Sequence, residues 1–404
     1  MMMMKKWFLP LFVSGLIGTT ALAQEHVKLS NTDLIKLDFE VLSQKKAAFL
    51  SDKSKYKESY KQLIKNAELL LNYKPVSVMQ KTEFPPSGNK HDYMSIGPYW
   101  WPNPAKPNGL PYIRKDGEVN PEVKSYPDKE NMPKLCENVY NLALAYYFSN
   151  DERYAKHASK LLQVWFLDED TKMNPNLKYG QAIKGVNEGR AEGIIDTRQF
   201  IFAIDAIELL KSSSHWTTKN QVEMKKWFSE FLNWLNTSDI GKDEMYAKNN
   251  HGVWFDAQAL SIALYVENKD MANKIVARAA SRLDVQMDAN GFFPLEMERT
   301  TSLHYSVFIL NAFNIIAQLS QDTDQNFYTL QTKSGKSLLK GFEAIFPYIS
   351  NQQKWVGKQI KEFNFSDAYP LLVRSSTKYN CKTCLDAIRN TTGDQYPSLL
   401  LNLL

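Results

Sequence analysis

The sequence predicts an all-α chain folded as an incomplete (α/α) toroid of about six or seven helical hairpins. Three observations carry that expectation. From Lys134 onward, apolar residues recur at helical spacing in one segment after another. One-faced helical patterns alternate with segments that are apolar nearly all round. Convincing strand alternation is scarce, and no short-period repeat or dividing linker interrupts the array. Helices buried on most sides form an inner layer and one-sided helices cover them, which together make two concentric layers.

In chain order, the N-terminus reads as a targeting segment. Lys5 and Lys6 precede an apolar run from Trp7 to about Ile17, and Ala21-Leu22-Ala23 supplies a small-residue cleavage site. The apolar run is too short to span a bilayer comfortably. The reading is therefore a signal peptide over 1–23, a mature domain over 24–404 and a periplasmic or secreted protein, with no membrane insertion after cleavage. Residues 24–80 read as helices, mainly Phe39–Leu50 and Tyr56–Leu71. Residues 82–133 hold ten of the 17 Pro and form a long irregular segment. It carries Tyr93, Tyr99, Trp100, Trp101, Tyr112 and Tyr126, too many aromatic residues for a disordered linker.

Beyond it, Leu135, Val139, Leu142 and Tyr146 mark one apolar stripe. Met224, Trp227, Phe228, Phe231, Leu232 and Leu235 mark another, with Lys219, Lys225 and Glu230 left polar. Residues 252–266 and 303–319 are the segments apolar nearly all round.

The composition is that of a globular protein, with 44% hydrophobic and 23% charged residues, so a disordered or collagen-like chain is excluded. With 9 Trp, 20 Tyr and 21 Phe, aromatic residues exceed what a core needs and suggest an aromatic-lined cleft. A net charge of +5 is too weak to argue for nucleic acid as a partner. Cys136, Cys381 and Cys384 are the three cysteines. The last two form a C-x-x-C, which in an exported protein suits a small disulfide. The βαβ setting of a redox motif and the further ligands of a zinc site are both missing.

Familiar catalytic motifs are absent. Gly335-Lys336-Ser337 resembles the end of a P-loop, but Leu330 stands where the earlier Gly belongs. Asp168, Glu169 and Asp170 lack the Gly and terminal Glu of a calcium loop. What remains is polar residues where buried helices begin. Asn249-Asn250-His251-Gly252 stands directly before an apolar helix. One Asn suffices to cap a helix; two Asn and a His exceed that need, and the helix start also favours an anion. The second cluster runs from Gly291 to Arg299 (GFFPLEMER) and on through Thr300, Thr301, Ser302, Leu303, His304 and Tyr305. In one continuous helix Arg299 and Tyr305 would lie about 120° apart. They converge only if Arg299 precedes the helix. Otherwise Arg299 is a surface residue paired with Glu296 or Glu298, and Tyr305 belongs to the core.

Taken together, NNHGVW at 249–254, GFFPLEMER and His304-Tyr305 resemble the alginate lyase superfamily, the α/α-toroid polysaccharide lyases. The site motifs resemble polysaccharide lyase family five, and SIGPYWWPNP at 95–104 resembles family thirty-eight. The resemblance runs from about Tyr93 to Arg374. It implies a catalytic set of Asn250, His251, Arg299 and Tyr305. The Arg-to-Tyr separation is one residue shorter than in family five and the His–Tyr order is reversed, so His304 stands beside Tyr305 as the alternative proton carrier.

The residue types suit β-elimination. The C5 proton of a uronate lies next to an ionised carboxylate that resists further negative charge. Asn250, His251 and Arg299 can neutralise it as donors. In mannuronate a single Tyr can take the C5 proton and return one to O4, because both lie on one face. An ordinary Tyr has a pKa of about 10, and Arg299 is expected to lower it. The scheme needs no metal and no cofactor.

Tyr99, Trp100 and Trp101 are expected to stack on sugar rings, or else to plug the loop onto the toroid. Arg190 and Arg198 are expected to bind neighbouring carboxylates, or else to pair with Glu188, Glu192 or Asp196. The reading is thus an exported, monomeric lyase of an anionic polysaccharide, alginate at its mannuronate links, with glucuronan as the alternative. A toroidal glycoside hydrolase would need paired carboxylates, for which Asp256 and Glu296 could be proposed. A non-catalytic oligouronate-binding protein would not need Tyr305.

Overall fold

The structure is a computed structural model that describes residues 34–393 except 53 and 55. The proposed signal peptide and its cleavage site lie outside the described residues. The chain winds as an α/α toroid, and helices come in successive pairs. These are α1 (Phe39–Ser51) with α2 (Lys57–Leu70), α3 (Asp128–Ser149) with α4 (Glu152–Phe166), and α5 (Phe200–Leu210) with α6 (Thr218–Thr237). After the short α7 (Asp239–Met245) come α8 (Asn250–Tyr265) with α9 (Lys269–Gln286). The four-residue α10 (Pro294–Met297) precedes α11 (Ser302–Leu319) with α12 (Leu338–Ile349), and α13 (Tyr369–Lys378) with α14 (Cys384–Thr392).

The two layers follow the sequence pattern. In α5, α8 and α11 nearly every residue is buried, whereas α4, α6 and α9 each bury one stripe. Along α6 the buried stripe comprises the six residues expected from the spacing, Met224 to Leu235. Trp227 and Phe228 there meet Phe166 of α4 and Phe200 of α5 mostly edge to face, so an aromatic cluster joins the layers. Helix α11 is long and apolar enough to cross a membrane, but 78% of that window is buried inside the fold. One continuous hydrophobic core runs from Leu34 to Ile388. The 381–384 pair is a disulfide, with Cα atoms 5.5 Å apart.

Two boundaries differ from the sequence pattern. Helix α3 begins at Asp128, six residues before Lys134, and contains Pro133. Asp128 and Glu130 in its first turn favour an early start, and Pro133 leaves only the Lys129 carbonyl without its ordinary donor. Where a helix was expected near Ile194, a 3-10 segment covers Ala191–Gln199 and passes directly into α5.

The long Pro-rich segment is ordered by four short strands: β1 (Met94–Ile96), β2 (Trp100–Trp101), β3 (Ile113–Arg114) and β4 (Tyr179–Ala182). β1 runs parallel to β4, and β2 pairs antiparallel with β3. The segment is fastened by buried Asp196, which accepts from Tyr93, Ser95, Lys129 and Gln181 at 2.8–3.1 Å. It therefore lies across the end of the ring at which the inner helices begin.

Candidate active site

A cleft of about 420 Å³ opens at that end of the ring. Its walls come from the first turns of inner helices: Lys129 at α3, Arg198 ahead of α5, Asn250 and His251 at α8, and Tyr305 at α11. The positive ends of several helix dipoles and the cations Lys129, Arg190, Arg198 and Arg299 thus face one space, an arrangement that favours an anionic ligand.

The Asn-Asn-His-Gly motif divides its work. Asn249 is the cap, its side chain accepting from the His251 N–H at 3.1 Å. Asn250 is 1% exposed and held by Glu296 of α10, which accepts from its backbone N–H at 2.7 Å and from Nδ2 at 2.8 Å. Nδ2 carries two hydrogens, so one N–H is left over. Nδ1 of His251 meets Glu244 Oε1 at 2.7 Å, which leaves Nε2 for the cleft. Burial presses the His251 pKa down, but the charge and hydrogen bond of Glu244 outweigh it and the net direction is upward. Gly252 is required because a Cβ there would stand 2.3 Å from the Ala247 carbonyl and 2.4 Å from Arg282.

Arg299 precedes α11, and its Nη2 donates to the Tyr305 hydroxyl at 2.7 Å. Its guanidinium carbon also lies 3.6 Å from the centre of the Tyr305 ring. The carboxylate that pairs with Arg299 is neither Glu296 nor Glu298 but Asp116 of the Pro-rich segment, at 2.7 and 3.1 Å. Against the upward push of burial, Arg299 holds the Asp116 carboxyl down at about 2. Arg299 pulls the Tyr305 pKa down as expected, but the net direction is upward. Burial raises it well above the ordinary phenol value, Tyr99 raises it further, and the attraction of Arg299 is insufficient. Thr301 occupies the cap position of α11 without a side-chain capping bond.

Tyr99 and Trp100 line the cleft, and Tyr99 bonds hydroxyl to hydroxyl with Tyr305 at 2.9 Å. Trp101 does not line it: side chains of successive strand residues point to opposite faces, and the Trp101 indole donates to the Glu118 carbonyl at 3.0 Å. Arg190 lines the cleft, ion-paired with Glu192 at 2.8 Å and donating to Gln181 Oε1 at 3.0 Å. Arg198 lies over Phe308 at 5.6 Å and donates to the Ile195 carbonyl. His304 reaches the cleft wall but faces Asp367 at 3.3 Å and is about half exposed.

The carboxylate pair considered for hydrolysis is not assembled. Asp256 is 0% exposed and neutralises Arg278 and Arg282 at 2.6 and 2.7 Å. Glu296 is occupied with Asn250. Sequence reasoning missed Asp116, Glu244 and Gln181 as site residues. None carries a local signal, because each meets its partner only through the fold.

An all-helical ring with a cationic, Tyr-containing cleft at the starts of its inner helices is the architecture of a polysaccharide lyase. The family profile described as alginate lyase matches residues 77–355. The crystal structure of an alginate lyase from Bacteroides ovatus is similar at 38% identity and a TM-score of 0.86, over 92% of this chain and 99% of that one. The chain therefore belongs to the alginate lyase family, and the protein is a polysaccharide lyase. Alginate lyase A1-III from a Sphingomonas species has the same fold at 13% identity. Its histidine-to-alanine variant in complex with a tetrasaccharide gives a TM-score of 0.51 over 81% of this chain and 89% of that one. No curated protein sequence matches the chain.

Proposed function

We propose that the protein is an exported alginate lyase that cleaves mannuronate links by β-elimination. The observation that carries this reading is the 2.7 Å contact of Arg299 with the Tyr305 hydroxyl, in a cleft that also holds Asn250 and His251. The Nη1 edge of Arg299, the spare Nδ2 N–H of Asn250 and Nε2 of His251 are the donors offered to the uronate carboxylate. Tyr305 removes the C5 proton, and those electrons form the C4–C5 double bond. The C4–O4 bond breaks, and the departing O4 takes a proton from the same hydroxyl. Three donors aimed at the developing charge supply the electrostatic stabilisation that this step requires. Burial keeps Tyr305 protonated in the free enzyme, so the hydroxyl must lose its proton within the substrate-filled cleft, and activity is expected to rise with pH.

The test is a panel of polymannuronate, polyguluronate and glucuronan, followed by the ultraviolet absorbance of unsaturated uronate. Polymannuronate is expected to react fastest. A stronger signal on glucuronan would transfer the assignment to that polymer, and reducing ends without absorbance would mean hydrolysis. Export rests on Lys5, Lys6, the apolar run and Ala21-Leu22-Ala23. N-terminal analysis of protein from its host is expected to begin at Gln24, and a chain retaining residues 1–23 would refute it.

A further inference from the structure

Asp116 is a charged group of the cleft region that the elimination scheme does not use. It belongs to the turn after β3, not to the helical ring, yet it makes the closest ionic contact of Arg299. Its two carboxylate oxygens accept from Nε and Nη2 of Arg299 at 3.1 and 2.7 Å, side-on to the guanidinium. That edge is thereby filled, the remaining Nη2 hydrogen meets Tyr305, and the Nη1 edge carries two further N–H groups. Neither partner is freely solvated, at 23% and 15% side-chain exposure.

The surroundings are built to hold Asp116 there. Thr300, next to Arg299, donates its Oγ1 to the carboxylate at 3.2 Å and its backbone N–H at 3.4 Å. Gly117 turns the chain at φ +77°, where a Cβ would stand 2.5 Å from Thr300 Oγ1. A third segment closes over both: the Ile360 N–H donates to the Thr300 carbonyl at 2.9 Å, and Lys361 Nζ to the Gly117 carbonyl at 2.7 Å. Exposed Arg114 adds a contact to Asp116 at 2.8 Å.

We infer that Asp116 is the positioning residue of the site: it clamps one edge of Arg299, so that the guanidinium bridges Tyr305 and the substrate carboxylate in a single orientation. This rests on the roles given to Arg299 and Tyr305 above. A second consequence is electrostatic. The Asp116 charge offsets Arg299 beside the phenol and so helps keep Tyr305 protonated in the free enzyme. The other groups that bear on the phenol are Tyr99 from the Pro-rich segment and His304 on α11. Arg114 of β3, Lys129 of α3, His251 of α8, and Arg190, Glu192, Asp196 and Arg198 ahead of α5 lie farther round the cleft.

The test uses Asp116→Asn and Asp116→Ala in the full mature chain, with thermal melts run alongside. Asp116→Asn keeps the shape and removes the charge. The rising limb of its kcat/KM profile is expected to move to lower pH by about half a unit or more. Asp116→Ala frees Arg299, and kcat is expected to fall about tenfold or more. Combined with Arg299→Ala, it is expected to cost little beyond Arg299→Ala alone, because the two act as one unit. Wild-type turnover and pH profile in both single variants would overturn the proposal, as would full additivity in the double variant. Tyr305→Phe separates the two readings. If it stays active, the proton-carrier assignment fails, while the Asp116–Arg299 cycle still reports on the clamp.

Discussion

Tyr99 and Tyr305 meet hydroxyl to hydroxyl at 2.9 Å although 206 positions separate them in the chain. One comes from the Pro-rich segment and the other from the first turn of α11. The same phenol receives Arg299 at 2.7 Å, and Arg299 is gripped in turn by Asp116 of the Pro-rich segment. The segment therefore supplies a polar partner to Tyr305 and another to Arg299, in addition to the aromatic wall expected of it.

The first prediction concerns the proton carrier. Tyr305→Phe keeps the ring and its contacts but removes the hydroxyl. Elimination is expected to fall to near background while oligouronate binding, measured by calorimetry, persists. His304→Ala is expected to retain most activity, since His304 faces Asp367. Full activity in Tyr305→Phe with loss in His304→Ala would move the proton to His304.

Loss of any one carboxylate-neutralising donor is the second prediction. Asn250→Ala, His251→Ala and Arg299→Ala are each expected to lower kcat by about a hundredfold or more, matching about 2.7–4 kcal/mol for a preorganised donor. Steady-state kinetics checks this, and an Arg299→Ala enzyme with ordinary turnover would remove that residue from the mechanism.

A third prediction follows from Glu244, which raises the His251 pKa. The group is held more protonated in the folded state than its unfolded value of about 6.5. Its contribution to stability is therefore fully present below that value and is lost as pH rises through the folded pKa. The stability gap between wild type and Glu244→Gln is expected to be wider near about pH 6 than in the alkaline range. Urea unfolding at several pH values measures it, and a gap that grows with pH would contradict the assignment.

Asp256 separates structure from catalysis. Asp256→Ala leaves Arg278 and Arg282 without their shared buried carboxylate and is expected to cost about 3–5 kcal/mol of stability. Below its melting temperature the variant is expected to keep the elimination activity. A stable variant without turnover would revive a catalytic carboxylate at this position.

What the sequence determined by itself is whatever is written in local periodicity. The stripe from Met224 to Leu235 and the all-round apolar runs over 252–266 and 303–319 each follow from which residues share a face within one helix. The ring and the starts of α8 and α11 were legible for that reason, whereas α3 and α5 begin elsewhere than the pattern placed them, and the sequence left open whether Arg299 converges on Tyr305. Tertiary structure decided the long-range pairings. Asp116 finds Arg299 at a separation of 183 positions, and Glu296 finds Asn250 at 46. It also decided that Trp101 turns away from the cleft and that the Tyr305 phenol is pushed up rather than down. Pairing across such distances leaves no period in the chain, and a pKa depends on how much water the finished fold excludes. Both therefore arise only when the Pro-rich segment is laid across the helix starts.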